Sequence, residues 1–202
     1  MNRRQALKSI AVAAALPLSA RELFAIGREA HAHLQSAAAE RDRYIFQTLD
    51  SDESEILTVA TERILPETDT PGARSARVPE FIDVILTGWF TEEERNRFLK
   101  GIRELNERAL KSKDDSFLSC TESEQVRLLQ ELEAEAHDEL GDVEPTRQAF
   151  RRAHTSPNAP FFTVLKWLTL YGYYTSKAGM EREIGWVDFP GSYDGCVSLR
   201  GK

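Results

Sequence analysis

Several kinds of chemistry are missing from this chain. It has two cysteines and four histidines in 202 residues. No C-x-x-C-H is present, so covalent haem through that motif is excluded, and two thiols cannot hold a cubane cluster alone. No dinucleotide fingerprint, phosphate loop or nucleophile elbow occurs. No stretch of four or more residues alternates in the manner of a strand. Charge of one sign is also short. The 26 Lys and Arg are outnumbered by 33 Asp and Glu, a net charge of −7. That excludes a broad phosphate-binding surface for nucleic acid. The basic residues are interleaved with acids except near Arg147, Arg151 and Arg152.

What is present begins at the amino end. "NRRQALK" at residues 2–8 leads into an apolar run over residues 10–18, interrupted by Pro17. The run fits a signal-peptide apolar region of about 7–15 residues and falls short of the ~20 needed to span a bilayer. Arg3, Arg4, Leu7 and Lys8 match the twin-arginine export pattern; Ala6 departs from it, where Phe is usual. Export to the periplasm by the twin-arginine route is therefore expected. No clean A-x-A cleavage site follows. Ala20 and Ala25 are the best candidates, and retention of the leader as a short anchor stays open.

The remainder reads as helices. We assign residues 1–25 to the leader, 26–43 to a polar, alanine-rich spacer, helical in part, and 44–202 to one helical domain. Ser51 or Ser54 opens a helix to about Leu65, with Ile56, Leu57, Ala60 and Ile64 near the 3.6 period. Pro66 ends it. The next stretch is rich in proline and small polar residues and reads as a loop. Pro79 then starts a short helix that is apolar all round, which predicts a buried position. Thr91 with Glu94, and Thr121 with Glu124, spell two capping boxes. Their helices carry Phe98, Leu99, Ile102, Leu105 and Ala109, and then Leu128, Leu129, Leu132 and Ala136. Gly141 stops the second. A short helix near residues 147–154 and a long apolar one, capped by Ser156 or Asn158 and ending at Gly179, complete the set. The fold class is all-α: one helical domain with a long irregular C-terminal tail, preceded by a twin-arginine leader.

The chemistry-bearing residues read blandly. His31 and His33 lie in the polar spacer with no carboxylate spaced to close a metal site, so surface histidines are expected. His137 reads as solvated, and His154 as packing or capping. The carboxylates of the helix from Thr121 read as a solvated face. We find no catalytic, cofactor-binding or metal-binding residues. Cys120 and Cys196 either form a disulfide, allowed in an oxidising compartment and worth roughly 4 kcal/mol in the chain-entropy model, or stay as separate thiols. The carboxyl third is rich in rings: Phe161, Phe162, Trp167, Tyr171, Tyr173 and Tyr174 on several faces of one helix, then Trp186, Phe189 and Tyr193 in the tail. Such rings pack a core or serve an interface.

Two stretches resemble a known family. "ILPETDTPGARSARVPEFID" (64–83) is similar to the signature stretch of the gluconate 2-dehydrogenase subunit 3 family. "LTLYGYYTSKAGMEREIGWVDFPGSYDGC" (168–196) is similar to its C-terminal block. The resemblance implies a small, non-catalytic subunit of a periplasmic sugar dehydrogenase. Its large partner would be a flavoprotein of the glucose–methanol–choline type that holds FAD. A cytochrome c subunit would take the electrons, with haem c or an iron–sulfur cluster elsewhere in the complex. Membrane association would be indirect. The small subunit would carry the export signal and help the flavoprotein mature. The substrate is not fixed: related complexes oxidise gluconate, glucose, sorbitol or glycosides. Pro66 and Pro71 of the loop, with Trp186, Phe189 and Tyr193 of the tail, are the candidate partner-facing residues. A stand-alone exported helical enzyme, or a scaffold with no fixed flavoprotein partner, stays open as an alternative.

Overall fold

The computed structural model describes residues 20–40, 44–140 and 159–185. Every regular element among them is helical. In chain order they are α1 (Ala20–Glu40), α2 (Ser51–Ile64), α3 (Val78–Gly88), α4 (Glu92–Lys113), α5 (Glu122–Leu140) and α6 (Phe161–Thr175). A single π-helical turn, Gly179–Glu183, follows. The expected helix near 147–154 and the tail beyond Gly185 lie outside the described residues, as does the leader up to residue 19.

Local rules account for most boundaries. Thr91 opens α4 through the expected capping box. At Thr121 both the N–H and the hydroxyl donate to the Glu124 carboxylate, at 3.0 and 2.8 Å. The start of α2 differs from expectation. Its cap is Asp50, whose carboxylate accepts the Glu53 N–H at 2.8 Å while Glu53 reaches back to the Asp50 N–H. Ser51 is already helical. An aspartate at this position does the same work as the expected serine. Pro79 sits in the first turn of α3, where its missing N–H leaves nothing unsatisfied.

Two larger differences concern α1 and α6. The expected spacer, and the last residues assigned to the leader, form the 21-residue helix α1. Alanine favours helix, and Gly27, Ala30 and Leu34 give it a narrow buried stripe at i, i+3 and i+7. It packs on α3 and α6. At the other end, α6 stops at Thr175, earlier than the expected Gly179. Ser176 takes an extended conformation. Its hydroxyl donates to the Tyr173 carbonyl at 2.6 Å and accepts the Gly179 N–H at 3.1 Å, replacing helical bonds.

Helix α6 is the axis. It contacts α1, α2, α3, α4, α5 and the π turn. This explains rings on several faces, since a helix surrounded by neighbours must be apolar all round. Phe162 and Tyr173 are buried, and Phe161, Trp167 and Tyr171 are half-buried; Tyr174 lies at the surface. Phe161 packs on Phe98 of α4 with ring centroids 5.3 Å apart. Trp167 stacks on Tyr171 at 4.9 Å. Of the carboxylates on α5 read as a solvated face, three are tethered to other helices: Glu122 pairs with Arg63 on α2 at 2.9 Å, Glu135 takes both guanidinium nitrogens of Arg108 on α4 at 2.6 Å, and Glu133 pairs with Lys166 on α6.

The tightest meeting point lies between α3 and α6. Phe81 is fully buried and its ring lies over Gly172. A Cβ at 172 would come within 2.6 Å of the Phe81 ring. Beside it, Asp83 anchors the segment before α2. Its buried carboxylate accepts the Tyr44 hydroxyl at 2.7 Å and the N–H groups of Gln47 and Thr48 at 2.9 Å and of Leu49 at 3.3 Å.

Two stability predictions follow from these contacts. Gly172→Ala overpacks the notch and costs about 1–3 kcal/mol in chemical denaturation. Asp83→Ala strands three backbone donors and a tyrosine, and is expected to cost at least about 3 kcal/mol by the same measurement.

Candidate functional site

Residues 66–77 carry no regular structure, so their backbone groups need other partners. Glu62, near the end of α2, supplies them. Its carboxylate accepts the N–H of Glu67 at 3.0 Å and of Arg74 at 2.8 Å. Gly72 lets the chain close over this hub, since a Cβ there would come within 2.5 Å of the Glu62 carboxylate. The Ala73 N–H bonds the Leu65 carbonyl at 2.9 Å, and Ser75 donates to Glu67 at 2.7 Å. The loop is thereby a folded, specific shape. It ends at Arg77, held at φ 59° in the left-handed region that disfavours residues with a Cβ.

This loop forms one wall of a groove of about 340 Å³. Pro71, Ser75, Ala76 and Arg77 line it from the loop. His31, Leu34 and Gln35 line it from α1, and Ser176, Lys177, Ala178, Glu181 and Arg182 close it beyond α6. The two stretches that carry the family resemblance, distant in sequence, thus converge here.

His31 fastens the α1 wall. Its Nε2 lies 3.1 Å from both the Gly172 carbonyl and the Thr175 hydroxyl oxygen. The carbonyl can only accept, and the Thr175 hydroxyl already donates to the Tyr171 carbonyl at 2.6 Å. The proton therefore sits on Nε2 and is shared between two acceptors. The ring stacks on Phe81 at 4.6 Å. Burial pushes the His31 pKa below its ordinary value, partly opposed by the bond to Gly172. Tyr171 donates to the Leu23 carbonyl, a second tie from α6 to α1. His31 is thus a structural residue and not the surface histidine expected. The expectation took the spacer to be polar throughout and missed the stripe that turns position 31 inward. His33 stays half-exposed, and His137 is exposed as expected; His154 lies outside the described residues.

The groove is cationic at its rim. Arg77 pairs with Glu80 at 3.2 Å, and Lys177 with Glu181 at 3.7 Å. Arg182 makes no ion pair among the described residues. Among those residues no group of His, Cys, Asp and Glu is placed to hold a metal ion, and no helix is long and apolar enough to cross a membrane.

Of the residues singled out from sequence, Pro71 lines the groove and Pro66 is exposed at the start of the loop. Cys120 is buried just before α5; its pairing with Cys196 falls outside the described residues. Arg3, Arg4, Leu7, Lys8, Trp186, Phe189 and Tyr193 also lie outside them. Sequence reasoning missed His31, Arg77, Lys177 and Arg182, which only the tertiary fold brings together.

The family model described as Gluconate 2-dehydrogenase subunit 3 matches residues 51–191. No curated protein and no solved structure matches the chain.

The His31 contact makes α1 docking sensitive to acid. The folded state resists protonating this ring, whereas the unfolded chain protonates it near pH 6.5. Its contribution is therefore complete above pH 6.5 and declines as pH falls below that value. Hydrogen exchange of the α1 amides should show protection lost on acidification through this range. In His31→Gln that pH dependence should be flattened.

Proposed function

The chain belongs to the gluconate 2-dehydrogenase subunit 3 family, and we propose that it is the non-catalytic small subunit of a periplasmic, FAD-dependent sugar dehydrogenase complex. Its family is that of an accessory subunit in gluconate 2-dehydrogenase complexes. The match over residues 51–191 is the observation that carries the reading. In this reading the large subunit is a flavoprotein of the glucose–methanol–choline type. That partner holds FAD and performs the oxidation, and a cytochrome c subunit receives the electrons. Haem c or an iron–sulfur cluster sits elsewhere in the complex.

The amino end supplies the second part of the proposal. A twin-arginine signal moves cargo that is already folded, and a flavoprotein must fold around FAD before it crosses. A flavoprotein without a signal of its own then travels as a passenger on this subunit. Such transport needs a complex formed before export and stable through it. Interfaces of that kind bury about 1,600 Å² or more. The pairing Arg3, Arg4, Leu7 and Lys8 is the address in this scheme, with the complex delivered to the periplasm.

Co-expression with a candidate flavoprotein of this type tests the proposal. The two chains should copurify through size-exclusion chromatography, with sugar oxidation in the joint fraction. Replacing Arg3 and Arg4 by lysine should leave the complex intact while removing dehydrogenase activity from the periplasm. Oxidation by this chain alone, or periplasmic activity unchanged by the two lysines, would overturn it.

A further inference from the structure

We propose that the groove between α1, the loop over residues 66–77 and residues 176–182 is the seat of an acidic, extended segment of the flavoprotein subunit. This rests on the accessory-subunit reading above and adds the place and chemistry of one contact. The segment's carboxylates meet Arg77, Lys177 and Arg182. An apolar side chain of the segment enters between Leu34, Pro71 and Ala178.

The chain as a whole carries −7, yet the described lining of this groove holds three cations against the single carboxylate of Glu181. A local reversal of sign on an acidic protein selects an anionic partner and steers it inward. Two of the three cations are already paired. Arg77 donates its Nε to Glu80 at 3.2 Å, so a partner carboxylate meets it beside Glu80 and not as a free charge. Lys177 and Glu181 are paired loosely at 3.7 Å, with side chains 78% and 49% exposed. An exposed pair of this kind contributes about 0–1 kcal/mol, so a partner carboxylate can displace Glu181 at little cost. Arg182 needs no displacement among the described residues.

At about 340 Å³ the groove is at the lower end of the roughly 300–1,000 Å³ range of small-molecule sites. It is too small for a dinucleotide, and its three walls come from three separate elements. Its lining mixes apolar groups with Gln35, Ser75 and Ser176, which suit the alternating side chains and backbone of a peptide.

Arg77 stands in the left-handed region. A non-glycine residue at φ 59° is a local cost that the surrounding loop must hold in place. Glycine would relieve that cost. An arginine there, at the rim of the groove, presents its guanidinium where glycine presents nothing.

The test uses the co-expressed complex. Arg77→Gly removes the cation while easing the backbone. It should keep the melting temperature of the free subunit and weaken association with the flavoprotein about tenfold or more. Lys177→Glu combined with Arg182→Glu should weaken it further and reverse its dependence on salt, since added salt then screens repulsion. A photo-crosslinking amino acid at Gln35 should join an acid-rich segment of the flavoprotein, identified by mass spectrometry. The same group at Glu107, on α4, should not join that segment. A Gln35 crosslink to residues 186–202 of this chain would show the groove filled from within and overturn the proposal. So would an intact complex with no Gln35 crosslink and unchanged affinity in the variants; that outcome leaves the accessory-subunit reading standing. Failure of the unaltered chain to bind any flavoprotein overturns both.

Discussion

The seating of Phe81 over Gly172 is the contact on which the described structure turns. The ring is fully buried, and it is edge-on to Tyr171 at 5.5 Å and stacked on His31 at 4.6 Å. Three helices meet in that one contact: α3 brings the ring, α6 the notch and α1 the histidine. Close approach is possible only because position 172 has no side chain. A glycine in mid-helix costs roughly 0.5–1 kcal/mol relative to alanine. Burying a phenylalanine fully returns about 1.5–3 kcal/mol, and the approach lets the His31 ring reach the Gly172 carbonyl as well. The exchange favours the notch.

Carboxylates do for the irregular segments what hydrogen-bond ladders do for helices. Asp83 gathers the backbone N–H groups of residues 47–49, and Glu62 gathers those of Glu67 and Arg74. Each acid projects from a helix and takes backbone donors of a length of chain that lies outside the helices. Charge-assisted bonds of this type are stronger than neutral ones. Two acids therefore fix two loops, and the second loop becomes a wall of the groove.

Much of the fold was legible in the sequence, for identifiable reasons. The boxes at Thr91 and Thr121 placed the starts of α4 and α5 to the residue, because caps are local chemistry. The buried position of α3 followed from its apolarity on every side. What escaped depends on tertiary neighbours. Helix α1 looked polar because its buried stripe is made of Gly27, Ala30 and Leu34, two of them too small to register as apolar. The rings of α6 read as core or interface; which of the two holds is decided by neighbours, and a helix with five helical neighbours buries most of them. The site was less legible still. Pro71 was singled out as partner-facing, but no spacing rule joins His31 to Arg77 and Arg182 across 151 residues of chain.

The position of α1 ties these strands to the functional reading. It lies before the stretch matched by the family model, which begins at residue 51. Yet it is held by His31, by the Tyr171 hydroxyl and by packing against Thr175, and it contributes a wall of the groove. A helix that merely spaced a signal from its domain would need none of these contacts, since a polar linker performs that task without buried surface. In the escort reading, a passenger seated in the groove touches α1 itself, the first described helix of the chain that carries Arg3 and Arg4. Address and cargo are then coupled through one helix. The His31 bond, neutral and doubly shared, is the joint that keeps this helix against the body.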